Sequence, residues 1–341
     1  MFIVRPAHLN DHSDLYELAV AMAPGITTFP PDKSVVLEKI KSSIKAFDSA
    51  PNTQLARNFL LVLEDVSNNK VIGTAGVYSE IGHDKPFYSF QKLSQTQQNS
   101  EYKLKTTSTT LNLVNAFQGG TEVGTLLLHP DYAGLGLGKV LAKSRYLLIS
   151  CFPELFKAPI FAELRGWTDE NGLSPFWEAV GKHFFADLDF TKADLLSATT
   201  DNQFIADMMP KHPIYLDLLP KSVQEITGKP HNKGRAALKM LLDEGFRDEG
   251  LIDIFDSGIT VKAHFNDLTT IAQSAEYIVS SGYEGEVSEN EAYIATTNLS
   301  TFNVIKTNEF SINSNSILLP TNTVMQLQLL EGQTVRLYIA N

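Results

Sequence analysis

Apolar residues recur along this chain at two spacings, which predict different elements. Alternating or continuous apolar runs predict strands at Phe2–Arg5, Phe59–Asp65 and Lys70–Tyr78. The turn Ser67–Asn69 separates the last two, so we expect them to form a hairpin. Between the first strand and this hairpin, apolar residues three and four positions apart predict two helices, the second capped by Asp32.

The middle of the chain alternates between strand and helix patterns. A polar stretch, Ser94–Thr110, predicts a surface excursion with extended pairing. The strand Glu122–Leu128, the helix Leu137–Ser150 and the strand Pro159–Gly166 follow, and the serine–proline pair at 174–175 predicts the start of another helix. After it, we expect a mainly helical stretch over Phe204–Leu219, broken at its prolines.

The pattern changes again near Ile259. Upstream, a helix that ends at the C-cap Gly245 precedes the strand LIDIFDSG. Downstream, short apolar runs such as EAYIATT and TVRLYIA are separated by turn residues. We therefore expect two domains. The first spans residues 1–258 and includes a helical extension, and the second is a small, barrel-like, all-β module over residues 259–341.

Composition narrows the class of protein. The 341 residues carry a net charge of −11, which argues against non-specific nucleic-acid binding, because such binding relies on lysine and arginine meeting phosphate. No apolar run approaches the ~20 residues of a membrane span, so no membrane partner is expected. Cys151 is the single cysteine, so no disulfide can form within the chain, and we expect a reducing, cytoplasmic location.

Three glycines at alternate positions, Gly134, Gly136 and Gly138, lie between a predicted strand and a predicted helix. This arrangement presents backbone N–H groups to a phosphate. A P-loop needs Gly-Lys-Ser/Thr, but Val140 follows Lys139, and the dinucleotide fingerprint has a different glycine spacing. An acyl-CoA phosphate and a purely structural tight turn both stay open at this point.

Several longer strings in the second half of the chain carry a specific resemblance. They are AELRG (Ala162–Gly166), DENGLSPFW (Asp169–Trp177), GKHFF (Gly181–Phe185), ADLL (Ala193–Leu196), FIADMMPKHPIY (Phe204–Tyr215), GKPH (Gly228–His231) and DEGF (Asp243–Phe246). Together with the order of the elements, they resemble the arginine N-succinyltransferase family of the GNAT acyltransferase superfamily. The resemblance covers nearly the whole chain. It departs from the superfamily motif at Ala133, where Arg or Gln is usual.

The resemblance implies a fold, a reaction and a set of site residues. The fold is α+β, with a GNAT-like mixed, mostly antiparallel sheet flanked by helices. The reaction transfers succinyl from the co-substrate succinyl-CoA directly to the α-amine of L-arginine, in arginine catabolism, without a permanently bound cofactor. His231 matches the family's acid/base histidine. The residues expected to bind CoA are Leu126, Gly134, Gly136, Gly138 and Lys139.

Other assignments rest on position and leave alternatives open. His231 is also compatible with an ordinary surface-loop histidine. Glu122, on the strand before the glycine turn, is the rival base, and an ordinary strand-end acid is the alternative for it. Arg165 is the first candidate for the succinyl carboxylate, because arginine pairs with carboxylates in a bidentate way. Lys211 and His212 are alternatives.

The guanidinium of the substrate calls for a carboxylate. Glu163 is the candidate for this role, whereas Asp169 and Glu170 read more readily as cap or solvated charges. The histidines lack metal-ligand spacing, so we expect no metal.

Two other functions stay open. One is an acyl-CoA-dependent N-acyltransferase that acts on ornithine or another amine, and the other is a non-catalytic CoA-binding protein. The family leads us to expect a homo-oligomer, or an assembly with a related second subunit, with small molecules as the other partners.

Overall fold

Sixteen strands join into one mixed sheet in the computed structural model, which describes residues 1–22, 28–49, 56–83, 86–186, 188–199 and 207–340. In chain order they are β1 (Phe2–Pro6), β2 (Asn58–Asp65), β3 (Lys70–Tyr78), β4 (Ser89–Asn99), β5 (Leu104–Val114), β6 (Thr121–Leu128), β7 (Ile160–Glu163), β8 (Ile214–Tyr215), β9 (Arg247–Ile252), β10 (Ile259–Ala263), β11 (Ala275–Ser280), β12 (Val287–Thr296), β13 (Val304–Glu309), β14 (Ser311–Asn313), β15 (Ser316–Leu318) and β16 (Thr334–Ala340).

The strand order across the sheet is β14-β15-β11-β16-β12-β13-β1-β2-β3-β6-β7-β10-β9-β4-β5-β8. The pairs β6–β7 and β11–β15 are parallel. The other neighbouring pairs are antiparallel. The expected α+β fold with a mixed, mostly antiparallel sheet is confirmed.

Helices lie on both faces of the sheet. In chain order they are α1 (His12–Met22), α2 (Lys33–Asp48), α3 (Leu137–Cys151), α4 (Lys182–Phe184), α5 (Phe190–Thr199), α6 (Lys221–Ile226), α7 (Arg235–Glu244), α8 (Thr269–Gln273) and α9 (Thr321–Gln326). On one face, α1 and α2 bury apolar side chains such as Leu15 and Ile40 against Leu60 and Val62 of β2. On the other face, α3 and α7 pack on the largest core. Among the described helices, none is long and apolar enough to cross a bilayer.

Local sequence signals place several elements correctly. The hairpin of β2 and β3, the strand β6 and the helix α3 are confirmed. Asp32 caps α2, because its side chain accepts hydrogen bonds from the backbone N–H groups of Ser34 and Val35. Such a cap is worth about 1 kcal/mol. The polar excursion is the distal part of the long β4–β5 hairpin, whose two strands pair from Ser89–Val114 to Asn99–Leu104.

Two predicted helices differ from the structure. The helix expected from residue 174 contains a π-helical turn, Trp177–Gly181, in which the absence of a side chain at Gly181 makes room for the Trp177 ring. The helix expected over Phe204–Leu219 lies partly outside the described residues. From Ile214 onwards it is wrong, because the segment after the two prolines forms the short strand β8 and a 3-10 turn.

The C-terminal part of the chain is rich in strands but continues the same sheet. β13 pairs with β1, and β10, which we expected in the C-terminal module, lies between β7 and β9. The region from residue 259 also contains the short helices α8 and α9, so it is not purely β. The division into two domains stays a prediction, and the pairing of β10 favours a boundary after Ala263.

Candidate active site

β6 and β7 begin as neighbours and then separate. Their parallel register joins Thr121 to Ile160 and Glu122 to Phe161, near the amino ends of both strands. Farther along, β6 continues its pairing with β3, whereas β7 continues with β10. A cleft therefore opens between the carboxyl ends of β6 and β7. Open sheets of this kind bind ligands outside the carboxyl ends of their parallel strands.

The glycine turn borders this cleft. Gly134 and Gly136 have φ angles of +83° and +74°, and Gly136 is the N-cap of α3. A Cβ atom built at Gly134, Gly136 or Gly138 meets no heavy atom within 4 Å. Lys139 is exposed in the first helical turn. The turn thus combines open space with the unpaired N–H groups of a helix N-terminus, which suits a pyrophosphate.

Gly138→Ala is expected to weaken CoA binding about 10- to 100-fold, because a methyl group would occupy the space in which phosphate oxygens reach the backbone N–H groups. Titration calorimetry with CoA measures this loss. The fold is not expected to suffer, since Gly138 has no positive φ and the added Cβ touches nothing. Unchanged CoA affinity in a variant with unchanged unfolding would show that the turn is only structural.

A β-bulge lies in β6 beside the cleft. Gly76 pairs with Gly124 and Thr74 pairs with Leu127, so two residues of β6 face one residue of β3. These two residues are Thr125 and Leu126, and Thr125 has a φ of +49°. A bulge leaves a residue of the strand outside the hydrogen-bonded ladder. The half-buried Leu126, which we expected to contact the acyl donor, therefore lies at an irregular point of the strand.

One face of the sheet carries a row of acidic side chains, and we name it the carboxylate face. Cross-strand partners share a face, and residues two apart on one strand do so as well. Glu122 of β6 is opposite Tyr78 and Phe161, and Glu163 follows Phe161 by two residues. This puts Glu122 and Glu163 on the same face as Tyr78.

The row extends across two more strands. Thr260 of β10 pairs with Glu163 and donates a hydrogen bond from Oγ1 to its carboxylate at 3.3 Å. Thr260 also pairs with Leu251 of β9, and Asp253 follows Leu251 by two residues. The N–H of Asp253 donates to the carbonyl of Gly258, which continues this pairing. Asp253 therefore lies on the carboxylate face with Glu163.

Burial and mutual repulsion raise the pKa values of these carboxyl groups. Burial raises the pKa of Glu122 to about 7, although the nearby positive charge of Lys39 opposes the shift. The pKa of Glu163 lies well above its usual value because of burial and the negative charges of Asp253, Glu122 and Asp256. The pKa of Asp253 is also raised, by burial and by Asp256. These couplings indicate that the carboxylates face one another.

These carboxyl groups remain reachable. Protein atoms surround the side chains of Glu122, Glu163 and Asp253 closely. All three nevertheless remain half-buried, so part of their surface is accessible to solvent. Carboxylates that repel one another lower their energy when a cation binds between them. The carboxylate face is therefore suited to a cationic substrate group.

His231 lies next to the end of β7. Its backbone N–H donates to the carbonyl of Arg165 at 2.7 Å, and its ring Nδ1 accepts from the N–H of Lys233 at 3.2 Å. A neutral imidazole in this arrangement carries its proton on Nε2. The half-buried His231 is thus fixed at the carboxyl end of β7 with Nε2 as a potential donor.

Arg165 has a different environment from the one we expected for a succinyl-binding residue. Its Nε lies 3.3 Å from Oδ2 of the buried Asp256, and its guanidinium lies 5.3 Å from the centre of the Phe190 ring. Part of its charge therefore serves an internal ion pair. Arg165 and His231 are brought together, but the role of Arg165 toward a substrate stays a prediction.

Lys211 and His212 are not brought to this site. Both are exposed and directly precede β8, which is separated from β7 by β10, β9, β4 and β5. Asp169 forms a local cap, since its side chain accepts hydrogen bonds from the N–H groups of Asn171 and Leu173 at 2.9 Å each. Glu170 is exposed.

Other chemistries lack support among the residues that the structure describes. No group of three or more His, Cys, Asp or Glu side chains is arranged to hold a metal ion in those residues. Burial raises the pKa of the Cys151 thiol to about 12, so this side chain is not a nucleophile at neutral pH.

Comparison with known proteins supplies the family. A family model described as the arginine N-succinyltransferase beta subunit matches residues 2–270. The chain belongs to the arginine N-succinyltransferase family. An arginine N-succinyltransferase of Yersinia pestis is 36% identical over 281 residues, covering 82% of this chain and 79% of the relative. One of Escherichia coli is 33% identical over 306 residues, covering 89% and 88%.

A solved structure matches nearly the whole chain. It is the arginine/ornithine succinyltransferase subunit AI from Pseudomonas aeruginosa, with a TM-score of 0.88 and 28% identity. The match covers 99% of this chain and 98% of that one. The fold described above is therefore shared with this solved structure over nearly its whole length.

Sequence reasoning missed two residues of this site, Asp253 and Lys39. Asp253 was hidden in a strand pattern, although an acid directly after an apolar strand is a signal for a strand-end site. Lys39 lies on an amphipathic helix, where a lysine normally reads as a solvated charge. Neither position is marked by a motif.

Proposed function

We propose that this chain transfers the succinyl group of succinyl-CoA to the α-amine of L-arginine. The observation that carries the proposal is the carboxylate face beside the bulge and the glycine turn. Arginine is a cationic amine, and Glu163 and Asp253 offer it carboxylates that repel each other, although the positive charge of Arg165 also acts on Asp253. Family membership supports the same reaction.

Direct attack of the amine on the thioester requires a proton acceptor and an oxyanion donor. In the proposal, Glu122 takes the proton of the attacking amine, because a carboxyl group with a pKa of about 7 is half-ionised at neutral pH. The backbone at the Thr125–Leu126 bulge faces the acyl carbonyl. His231 donates a hydrogen bond from Nε2 to the departing thiolate of CoA, and the proton that Glu122 took from the amine passes to this thiolate, which leaves as the thiol of CoA.

The CoA portion would lie along the cleft between β6 and β7. Gly134, Gly136 and Gly138 would receive the pyrophosphate on the first turn of α3, and Lys139 would add a positive charge there. The acyl carbon would then lie near Leu126. This arrangement needs no enzyme nucleophile.

The proposal also covers the cellular location of the protein and its oligomeric state. We propose a cytoplasmic enzyme, supported by the single, half-buried cysteine. We also propose that it is an oligomer of this chain or of this chain with a related second subunit. The solved structure from Pseudomonas aeruginosa, which is one subunit of its enzyme, supports this.

Thiol release from CoA tests the proposal directly. Purified protein is assayed with succinyl-, acetyl- and glutaryl-CoA against arginine, ornithine, lysine and spermidine. Turnover confined to succinyl-CoA with arginine, or with arginine and ornithine, is expected. Turnover with another pair would keep an acyl-CoA N-acyltransferase and reject the succinyl–arginine assignment. CoA binding without turnover for any pair would favour a missing subunit or a binding protein.

A further inference from the structure

Lys39 is a cation on the carboxylate face that the proposed mechanism does not use. It lies in α2, which packs over β2 and β3 on this face. Its side chain is half-buried, and its Nζ lies 5.6 Å from the centre of the Tyr78 ring. Its charge acts on Glu122, the cross-strand neighbour of Tyr78. Lys39 therefore points toward the candidate site rather than away from the protein.

Lys39 makes no ion pair with any carboxylate in the part of the chain that the structure describes, where pairs within 4.0 Å are formed by other lysines such as Lys41 with Glu38. Glu122, the carboxyl group on which the charge of Lys39 acts, is half-protonated at pH 7 because its pKa is about 7. A half-buried ammonium next to a binding site, with no carboxylate of its own, is stabilised when a ligand supplies one.

The ring of Tyr78 connects Lys39 to the bulge. Gly76 and Gly124 are cross-strand partners, so no side chain covers the sheet at this point. The Tyr78 ring lies over Gly76, where a Cβ atom would come within 2.7 Å of the tyrosine oxygen. The hydroxyl of Tyr78 forms a hydrogen bond with Thr125 Oγ1 at the bulge. The hydroxyl edge of the Tyr78 ring therefore lies at the bulge, where we propose that the acyl group binds. The Nζ of Lys39 lies above the face of the same ring.

The proposed substrates bring two carboxylates into this site. Succinyl-CoA has one, three carbon–carbon bonds from its thioester carbon, and arginine has its α-carboxylate next to the attacking amine. Arg165, the cation that we first expected to serve here, forms an internal ion pair with Asp256. Glu163 and Asp253 repel a carboxylate. Lys39 offers the complementary charge on the opposite side of Glu122 from them.

We propose that Lys39 binds a substrate carboxylate and thereby determines specificity, either for a dicarboxylic acyl donor or for an amino-acid acceptor. This inference rests on the proposed function. Its chemistry is a lysine–carboxylate pair in a partly desolvated site, and the ring of Tyr78 holds the ammonium in place by a cation–π contact. The two possible sources of the carboxylate predict different losses of specificity.

A four-substrate comparison tests this assignment. Butyryl-CoA replaces the succinyl carboxylate by a methyl group, and agmatine is arginine without its carboxylate. Values of kcat/KM are measured for both donors with arginine and for both acceptors with succinyl-CoA. In Lys39→Met, we expect the preference for one carboxylate-bearing substrate over its partner to fall roughly 10- to 100-fold, the size of one charge-assisted contact.

The arms of the experiment separate the sources. Loss of preference for succinyl-CoA over butyryl-CoA assigns the acyl carboxylate, and loss of preference for arginine over agmatine assigns the α-carboxylate. Lys39→Arg should retain the preference. Lys41→Met, on the exposed side of the same helix, is the matched control. Unchanged preferences, or an equal loss for all four substrates, would overturn the proposal.

Binding measurements keep this test separate from the proposed function. Titration of succinyl-CoA and butyryl-CoA into wild type and Lys39→Met reports on the donor carboxylate without turnover. A wild type that fails to succinylate arginine rejects the proposed function. Equal affinity ratios in wild type and variant, together with unchanged acceptor preference, reject the role of Lys39. Lys39→Gln replaces Lys39→Met if the latter has a lower melting temperature than wild type.

Discussion

Glu122→Gln is expected to lower kcat by about 10²- to 10⁴-fold, the usual contribution of a positioned general base. Glutamine has nearly the same shape as glutamate, so the strand pairing of residue 122 with Tyr78 should persist. What is removed is the carboxylate that accepts the proton of the attacking amine. Steady-state rates of CoA thiol release measure the effect.

The pH dependence identifies the reason for this loss. A base must be deprotonated, so the wild-type rate should rise with pH through the raised pKa of Glu122, about 7, and level off above it. In Glu122→Gln this rise should disappear. Glu249→Gln, an exposed change at a glutamate paired with Lys262, is the control and should keep both rate and profile. A variant that retains wild-type kcat would return the role of base to His231.

Local sequence signals were sufficient to locate the glycine turn that we propose for phosphate binding. Gly134, Gly136 and Gly138 follow an apolar strand and precede a helix, and this local pattern is what places open space at a helix N-terminus. The position of Glu122 on the same strand follows from the strand itself. These features depend on residues close together in the chain, so periodicity and turn chemistry reveal them.

The acceptor side of the site depends on pairing between distant segments. Asp253 joins Glu163 because β10 inserts between β7 and β9, and nothing in the local pattern of any of these strands specifies that order. For the same reason, β10 does not lie in the C-terminal module in which we expected it. The charge of Lys39 acts on Glu122 because α2 packs on β2 and β3. Register and helix placement are set by the whole core, which single-sequence patterns do not encode.

The ion pair of Arg165 also depends on a distant segment that the local sequence pattern does not specify. The structure places Arg165 after the end of β7, where its carbonyl accepts a hydrogen bond from the backbone N–H of His231. Its partner Asp256 comes from a turn ninety-one residues away and is almost fully buried, 1% exposed, so the ion pair was invisible in the sequence. A residue can therefore lie at the expected place while its charge serves another purpose.

Asp253→Asn is expected to lower kcat/KM for arginine by roughly 10²-fold, because it removes one carboxylate from a desolvated charge pair with the substrate. Asparagine keeps the Oδ1 acceptor that Asp253 uses for the N–H groups of Phe255 and Asp256, at 2.7 and 2.8 Å. The turn should therefore keep its shape. The rate with arginine and the melting temperature are both measured for wild type and variant. A lower rate at an unchanged melting temperature indicates a lost contact rather than lost folding.

The comparison of arginine with citrulline gives this prediction its sharpest form, because the ureido group of citrulline is a neutral analogue of the guanidinium. Wild type should prefer arginine, and Asp253→Asn should reduce that preference, since Asp253 would no longer attract the cation. Asp248→Asn is the matched control. Asp248 is exposed on β9, the strand that ends directly before Asp253, and it accepts a hydrogen bond from the N–H of Gly250. Loss of activity in Asp253→Asn with an unchanged arginine preference would place the guanidinium elsewhere and leave Glu163 as the remaining candidate of the pair.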